Sequence, residues 1–206
     1  MPLNGRRAQA VRNDELILTA ARAVFAADPA APISAVAEQA GVGISALYRR
    51  CTSKEALLGR LCADAVRRYN HEAEAALADE GDSWTVFRRF VRRVVAADLY
   101  ALTLSLAGTF TPDAELRREA LRAQELSTRL FERTRDAGAI RPDVVLDDIA
   151  LILQQVTAVR LADEQRTRRL RERCLALLLE ALRLDPGGPL PGPPPAREEI
   201  TRRWTM

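Results

Sequence analysis

The amino-acid sequence predicts an all-α chain of about nine helices, a small N-terminal three-helix module followed by a larger helical unit. Three observations carry that expectation. Alanine, leucine, arginine and glutamate are abundant while aromatic residues make up only 5% of the 206 residues, a balance that favours helix over sheet. Apolar residues recur at spacings of three and four through most of the chain. Glycine, proline and aspartate fall between those stretches, at Asp28-Pro29, Gly41, Asp79 to Asp82, Thr111-Pro112, Gly138 and Pro142-Asp143, where they end one helix and begin the next. With 48% hydrophobic and 29% charged residues, the composition is that of a folded protein.

Taken in order, residues 1–12 carry Arg6, Arg7 and Arg12 without apolar periodicity and read as a flexible basic arm. Asn13 is a good N-cap for the first helix, with Asp14 and Glu15 in its first turn and Ile17, Ala21, Val24 and Phe25 on one face. Ser34 is the expected cap of the second, whose Val36, Ala37 and Ala40 face inward, and Gly41 is its left-handed stop. A third helix from Ile44 to Arg50 is too short to stand alone and leans on its neighbours through Leu47. Ser53 caps a long helix from Lys54 to about Ala78, with Leu57, Leu58, Leu61, Ala65 and Tyr69 on one stripe.

Ser83 is expected to cap the next helix, which holds Trp84, Phe87, Phe90, Val91, Val94 and Val95. An apolar run from Leu99 to Phe110 follows, with Gly108 as a bend. Asp113 caps a helix that Gly138 stops, and Pro142-Asp143 starts another through Ile149, Ile152, Leu153, Val156 and Val159. The last helix carries Leu170, Cys174, Leu177, Leu178, Ala181 and Leu182. Both of these helices also place leucines on the opposite side (Leu151, Leu175, Leu179), so each must bury more than one face. From residue 186 the run PGGPLPGPPPA predicts a mostly disordered tail over 186–206, with a short turn in its final residues.

Several function classes find no support. A formal net charge of +3 does not by itself prove a polyanionic partner; the placement of the basic residues decides. No stretch approaches the roughly 20 apolar residues of a membrane span, and the first residues lack an apolar signal core, so no membrane and no export are expected. Three cysteines without CxxC spacing and a single histidine, His71, argue for a reducing cytoplasm and against a zinc site or histidine-based catalysis. The acidic pair Asp147-Asp148 is explained by a helix start. No enzyme, metal or cofactor is expected.

The stretch from Ile33 to Leu58, ISAVAEQAGVGISALYRRCTSKEALL, holds most of the functional information. A helix, a glycine-containing turn and a second short helix make a helix-turn-helix, whose second helix suits a major groove about 12 Å wide. Lys54, the only lysine of the chain, stands in a first helical turn, where a cation opposes the helix dipole. A phosphate docked there accepts from the amide groups and the ammonium together.

The pattern IxxVAxxAGV followed by ALY and then SKExLL at Ser53 to Leu58 resembles the TetR family of bacterial regulators over about 50 residues. The resemblance implies a DNA-binding module over residues 13–55, a ligand-binding and dimerisation domain over 56–185, and a cytoplasmic bacterial homodimer that binds double-stranded operator DNA. It also implies that Ser34, Ile44, Ser45, Ala46, Tyr48, Arg49 and Lys54 meet DNA, and Arg50, where the chain departs from the family, adds a charge that suits a phosphate. Of these, Arg49 suits guanine, Ile44 and Ala46 suit thymine methyls, and Tyr48, Arg50 and Lys54 hold phosphates without specifying sequence. The chain departs from the family at Gly43, at Ser45, and at Arg50-Cys51, where a His-Phe pair is usual; the packing under the recognition helix must therefore differ.

An unidentified small-molecule effector is expected among Trp84, Phe87, Phe90, Phe110, Phe131 and Val156, with Thr103, Ser105, Thr109, Gln154 and Thr157 as polar handles. The last two long helices are expected to form the dimer through Leu151, Val159, Leu170, Cys174, Leu175, Leu178 and Leu182. A helical carrier or partner-binding adaptor that has lost operator binding stays open as the alternative.

Overall fold

Ten helices account for the secondary structure of the described residues: α1 (Leu3–Ala27), α2 (Ile33–Gln39), α3 (Ile44–Tyr48), α4 (Lys54–Ala78), α5 (Ser83–Ala96), α6 (Leu99–Leu106), α7 (Ala114–Asp136), α8 (Leu146–Ala158), α9 (Glu164–Ala181) and α10 (Arg197–Thr201). The computed structural model describes residues 3–28, 30–106, 108–183, 188 and 190–201, with the side chains of all but 3–11, 26, 101, 102, 104, 105 and 201. The fold is all-α, and among these residues no helix is long and apolar enough to cross a membrane.

Side-chain caps set the starts of α4, α5, α7 and α9. Ser53 accepts from the Ala56 amide at 3.1 Å, Asp113 from Leu116 at 2.7 Å and Asp163 from Arg166 at 3.1 Å, each satisfying an amide that the first turn leaves without a partner. Gly41 and Gly138, with φ of 65° and 68°, stop α2 and α7 in the left-handed region that glycine enters at little cost.

Five boundaries differ from expectation. α1 reaches back to Leu3 and so continues through the stretch read as an arm, because Arg6 to Arg12 are good helix formers with no breaker before Ala27. α2 begins at Ile33 with Pro32 as its N-cap, so Ser34 lies within the first turn and caps nothing. Asp82 replaces Ser83 as the cap of α5, accepting from Thr85 at 2.9 Å. α8 begins at Leu146: Asp143 is held by Arg141 at 2.5 and 2.7 Å in a turn, and Asp148 instead accepts from the Val145 amide at 2.9 Å. The tail residues that are described fold back on the body. The Leu190 amide donates to Asp143 at 2.8 Å, Arg141 donates to the Gly188 carbonyl at 2.9 Å, and Arg197 of α10 pairs with Asp147 of α8 at 3.4 Å.

Two apolar cores form. One gathers α1, α2, α3 and the first half of α4 around Phe25, Leu47, Leu57 and Leu61, and takes in Leu99, Leu106, Phe110 and Leu116. The other gathers the second half of α4 with α5, α7, α8 and α9 around Phe87, Val91, Leu130 and Leu175. α4 belongs to both, and the packing divides between Ala65 and Ala73 rather than at residue 55. Arginines lock the joints of this bundle. Buried Arg171 donates to the Thr157 and Val159 carbonyls at the end of α8, at 2.7 and 3.0 Å, and to Asp98 at 2.7 Å. Asp98 itself turns the chain from α5 into α6 with a φ of 54°. Arg133 likewise donates to the Ala76, Leu77 and Asp79 carbonyls at the end of α4, acceptors that a helix C-terminus leaves unmade.

Candidate nucleic-acid interface and effector region

α3 has five residues and buries one large side chain, Leu47. That burial contributes about 1.5–3 kcal/mol and leaves the other side of the helix outward. Ile44 and Tyr48 are 40% and 47% exposed, Ser45 and Arg49 are exposed, and Ala46 is half-buried. Gly43 caps the helix without a side chain, as the sequence implied. Ser34, freed from capping, is also exposed on the first turn of α2.

Two cations of this region have contacts within the chain that the sequence did not suggest. Lys54, at the start of α4, holds its ammonium over the Phe25 ring, 5.3 Å from the centroid, a contact that steadies a cation placed at the positive end of a helix. Arg50 is drawn inward: its Nε donates to Asp14 of α1 at 2.5 Å. Asp14 is also paired with Arg60 of α4 at 3.6 Å, and Arg60 reaches the Arg50 carbonyl and the Cys51 sulfur, both at 3.5 Å. Cys51 is buried. The small side chain thus sits under a guanidinium bracket. Sequence reasoning missed Asp14 and Arg60, whose partners lie 36 and 9 or 10 residues away.

The residues expected around an effector do not share one cavity. Phe110 joins the N-terminal core and lies against Gly59 of α4. Trp84, Phe87, Phe90, Phe131 and Val156 fill the other core, and Thr157 is buried on α8. The Thr157, Thr103 and Thr109 hydroxyls donate to the Leu153, Tyr100 and Leu106 carbonyls at 2.7, 2.9 and 2.7 Å, local bonds that hold the first two along their own helices and the third against the end of α6. The Ser105 side chain lies outside the described residues. Gln154 bonds the Tyr100 hydroxyl.

Polar groups that the sequence did not single out stand between the helices instead. The Tyr69 hydroxyl pairs with Ser127 at 2.7 Å, and Asn70 donates to Glu119 at 2.8 Å. Burial pushes the Tyr69 phenol up to about 12, so it remains a neutral hydrogen-bonding group. One cleft of about 240 Å³ opens between α4 and the start of α6, lined in part by Arg67, His71 and Leu99. Another of about 370 Å³ runs along the arginine-rich outer face of α5. Neither is lined by an expected effector residue. Burial also pushes the Cys62 thiol up to about 12, which keeps it protonated and unreactive.

The expected dimer residues divide between two stripes of α9 and the adjoining α8. Leu175 and Leu182 are only 1% and 5% exposed and belong to the chain's own core. Leu151, Val159, Leu170, Cys174 and Leu178 are half-buried. Leu177, omitted from the expected set, is 65% exposed, and its spacing from Leu170 and Cys174 puts the three on one outward face.

Residues 17–61 match the family model described as bacterial regulatory proteins, tetR family. Residues 81–184, just over half of the chain, match the one described as the C-terminal domain of SbtR-like transcriptional regulators. Among solved structures, the chain is similar to the TetR transcriptional regulator SCO0520 from Streptomyces coelicolor, at 27% identity over 83% of this chain and 98% of that one, with a TM-score of 0.60. A TetR transcription regulatory protein from Mycobacterium vanbaalenii is 27% identical over 86% and 99%, with a TM-score of 0.59. A γ-butyrolactone receptor, an ArpA-like protein, shares the fold at 19% identity over 96% and 95%, with a TM-score of 0.66. No curated protein matches the chain. With both of its family models matched in order along one all-helical chain, the protein is a transcriptional regulator and not an enzyme, and it belongs to the TetR family.

Proposed function

We propose that this regulator is a repressor that binds a palindromic operator in the bacterial cytoplasm as a homodimer and is released by a small-molecule effector. The observation that carries the reading is α3, which buries Leu47 alone and turns Ile44, Ser45, Tyr48 and Arg49 outward beside the exposed Ser34. An apolar and an aromatic side chain turned outward on a short helix have the chemistry to meet thymine methyls and phosphates in a major groove. Ile44, Ala46 and Arg49 read base edges; Ser34, Ser45, Tyr48 and Lys54 position the module on phosphates.

The DNA-reading unit comprises α1 to α3 with the first half of α4. The remaining helices form the effector and dimer unit. Leu177, with Leu170 and Cys174, supports a two-fold contact through α9 flanked by α8. The polar pairs Tyr69–Ser127 and Tyr100–Gln154 support an effector held between α4, α6, α7 and α8, since a few polar groups in an apolar surround orient a ligand. Release requires that the effector bind the DNA-incompetent arrangement more tightly. Selection from a pool of genomic duplexes at moderate salt, followed by sequencing, tests the reading. Recovery of a palindromic motif is the expected result, and recovery of no motif overturns it.

A further inference from the structure

α3 poses a mechanical problem. A five-residue helix does not hold itself, and this one has a single buried side chain and no side-chain cap at its start. Rotation about Leu47 would change which of its side chains face a duplex. The chain leaving α3 is, however, fixed from two sides. The two oxygens of Asp14 are divided: Oδ1 accepts from Arg50 at 2.5 Å and Oδ2 pairs with Arg60 at 3.6 Å. Arg60 closes the triangle on the Arg50 carbonyl at 3.5 Å. Asp14 comes from α1, Arg60 from α4 and Arg50 from the end of α3, so one carboxylate ties three elements of the module together.

Resting on the operator reading above, we propose that Asp14 is the positioning residue of the recognition helix, and that Arg50 serves it as a strut rather than as a phosphate contact. The bracket sets the roll of α3, and with it the bases met by Ile44 and Arg49. The charge-assisted hydrogen bond from Arg50 to Asp14 is directional, the ion pair with Arg60 holds the same carboxylate towards α4, and the contacts of Leu47 have no direction. Arg50 already has a carboxylate as counter-charge, so its removal displaces few condensed ions from DNA. Its side chain is 22% exposed, about half the figure of 41% for Arg60.

The test compares the full-length wild-type chain with the variants Asp14→Asn, Asp14→Glu and Arg50→Gln. Hydrogen exchange over residues 44–52 reads the bracket without DNA. The Asn and Gln variants are expected to exchange faster there, with α2 and α4 unchanged and the Glu variant close to wild type. Affinity for the selected motif, for mixed-sequence duplex, and its salt slope read the consequence. Asp14→Asn and Arg50→Gln should weaken motif binding by about tenfold, the discrimination of one displaced base contact. Mixed-sequence binding and the salt slope should stay as in the wild type. Unchanged exchange in both the Asn and Gln variants overturns the inference whatever happens on DNA, as does a shallower salt slope in Arg50→Gln. Faster exchange in a protein whose wild type selects no motif leaves the bracket standing and removes the operator reading instead. Should Asp14→Asn fail to fold, Arg50→Gln and Asp14→Glu carry the same readouts.

Discussion

At the scale of single residues, side chains with similar formal charge are held in different ways around α3 and the start of α4. Lys54 stands on the Phe25 ring at the start of α4, where an ammonium and the first amides of a helix converge on one anion. Lys54→Ala should therefore weaken binding to all duplexes alike and reduce the salt slope by about 1; titration at several salt concentrations measures it. Arg50 lies only four residues earlier but is turned towards Asp14. The outward set of α3 followed from the family resemblance and not from spacing, since Ile44 and Leu47 stand three residues apart on neighbouring positions of the helix and only Leu47 is buried. The fate of Arg50 followed from neither. Its partner is 36 residues away, and helical periodicity carries no information about pairs between helices. The same limit misplaced Leu175 and Leu182: the inward stripe of α9 runs through Arg171, Leu175, Leu179 and Leu182, and the outward one through Leu170, Cys174 and Leu177. Adjacent stripes one residue apart read alike until the neighbouring helices are known.

At the scale of elements, capping residues were dependable at Ser53 and Asp113, whereas Asn13 lies inside α1 and Ser34 inside the first turn of α2. They also failed where two candidates stood side by side, at Asp82 and Ser83, or where a better partner claimed the side chain, as Arg141 does with Asp143. That last pair makes a prediction. Arg141 first, and then the Leu190 amide, hold the Asp143 carboxyl down at about 2, below its ordinary 3.8. A depressed acid stabilises the folded form fully above about 4 and loses that contribution as the pH falls through about 2. The turn at Asp143 should accordingly loosen its hold on Leu190 over that window, and Asp143→Asn, which lacks the charge that holds Arg141, should exchange faster at Leu190 already at neutral pH, while α10 keeps its own pair with Asp147; hydrogen exchange of residues 190–201 follows it. α9 offers a second test. Leu177→Glu places a charge on the outward stripe and should weaken self-association at least about tenfold, near 1.4 kcal/mol, without altering the melting of the monomer, as sedimentation and circular dichroism would report.

At the scale of the whole molecule, α4 is the structural link between the two cores. Its 25 residues span about 37 Å at 1.5 Å per residue, with Leu57 to Ala65 in one core and Ala73 and Ala76 in the other. α6 makes a parallel connection: Leu99 and Leu106 pack with the N-terminal core, while the turn before it is fixed by Asp98 to Arg171 of α9. A rearrangement among α4, α6 and α8 thus bears on the DNA-reading unit through two rigid members instead of a loose linker. The all-helical class and the two-part plan followed from composition, spacing and the helix-turn-helix pattern. The sharing of α4 between cores did not, since an uninterrupted apolar stripe looks the same whether it faces one neighbour set or two.

The arginine-for-lysine composition has a practical consequence in chemistry. Every other cationic side chain is a guanidinium, with His71 the only imidazole, so the protein carries one side-chain amine and it stands at the start of α4. Reagents that acylate amines meet a single side-chain target, at the start of α4. One acyl group would neutralise that charge and deliver a dye or crosslinker to a known position, with no engineered cysteine to compete against Cys51, Cys62 and Cys174.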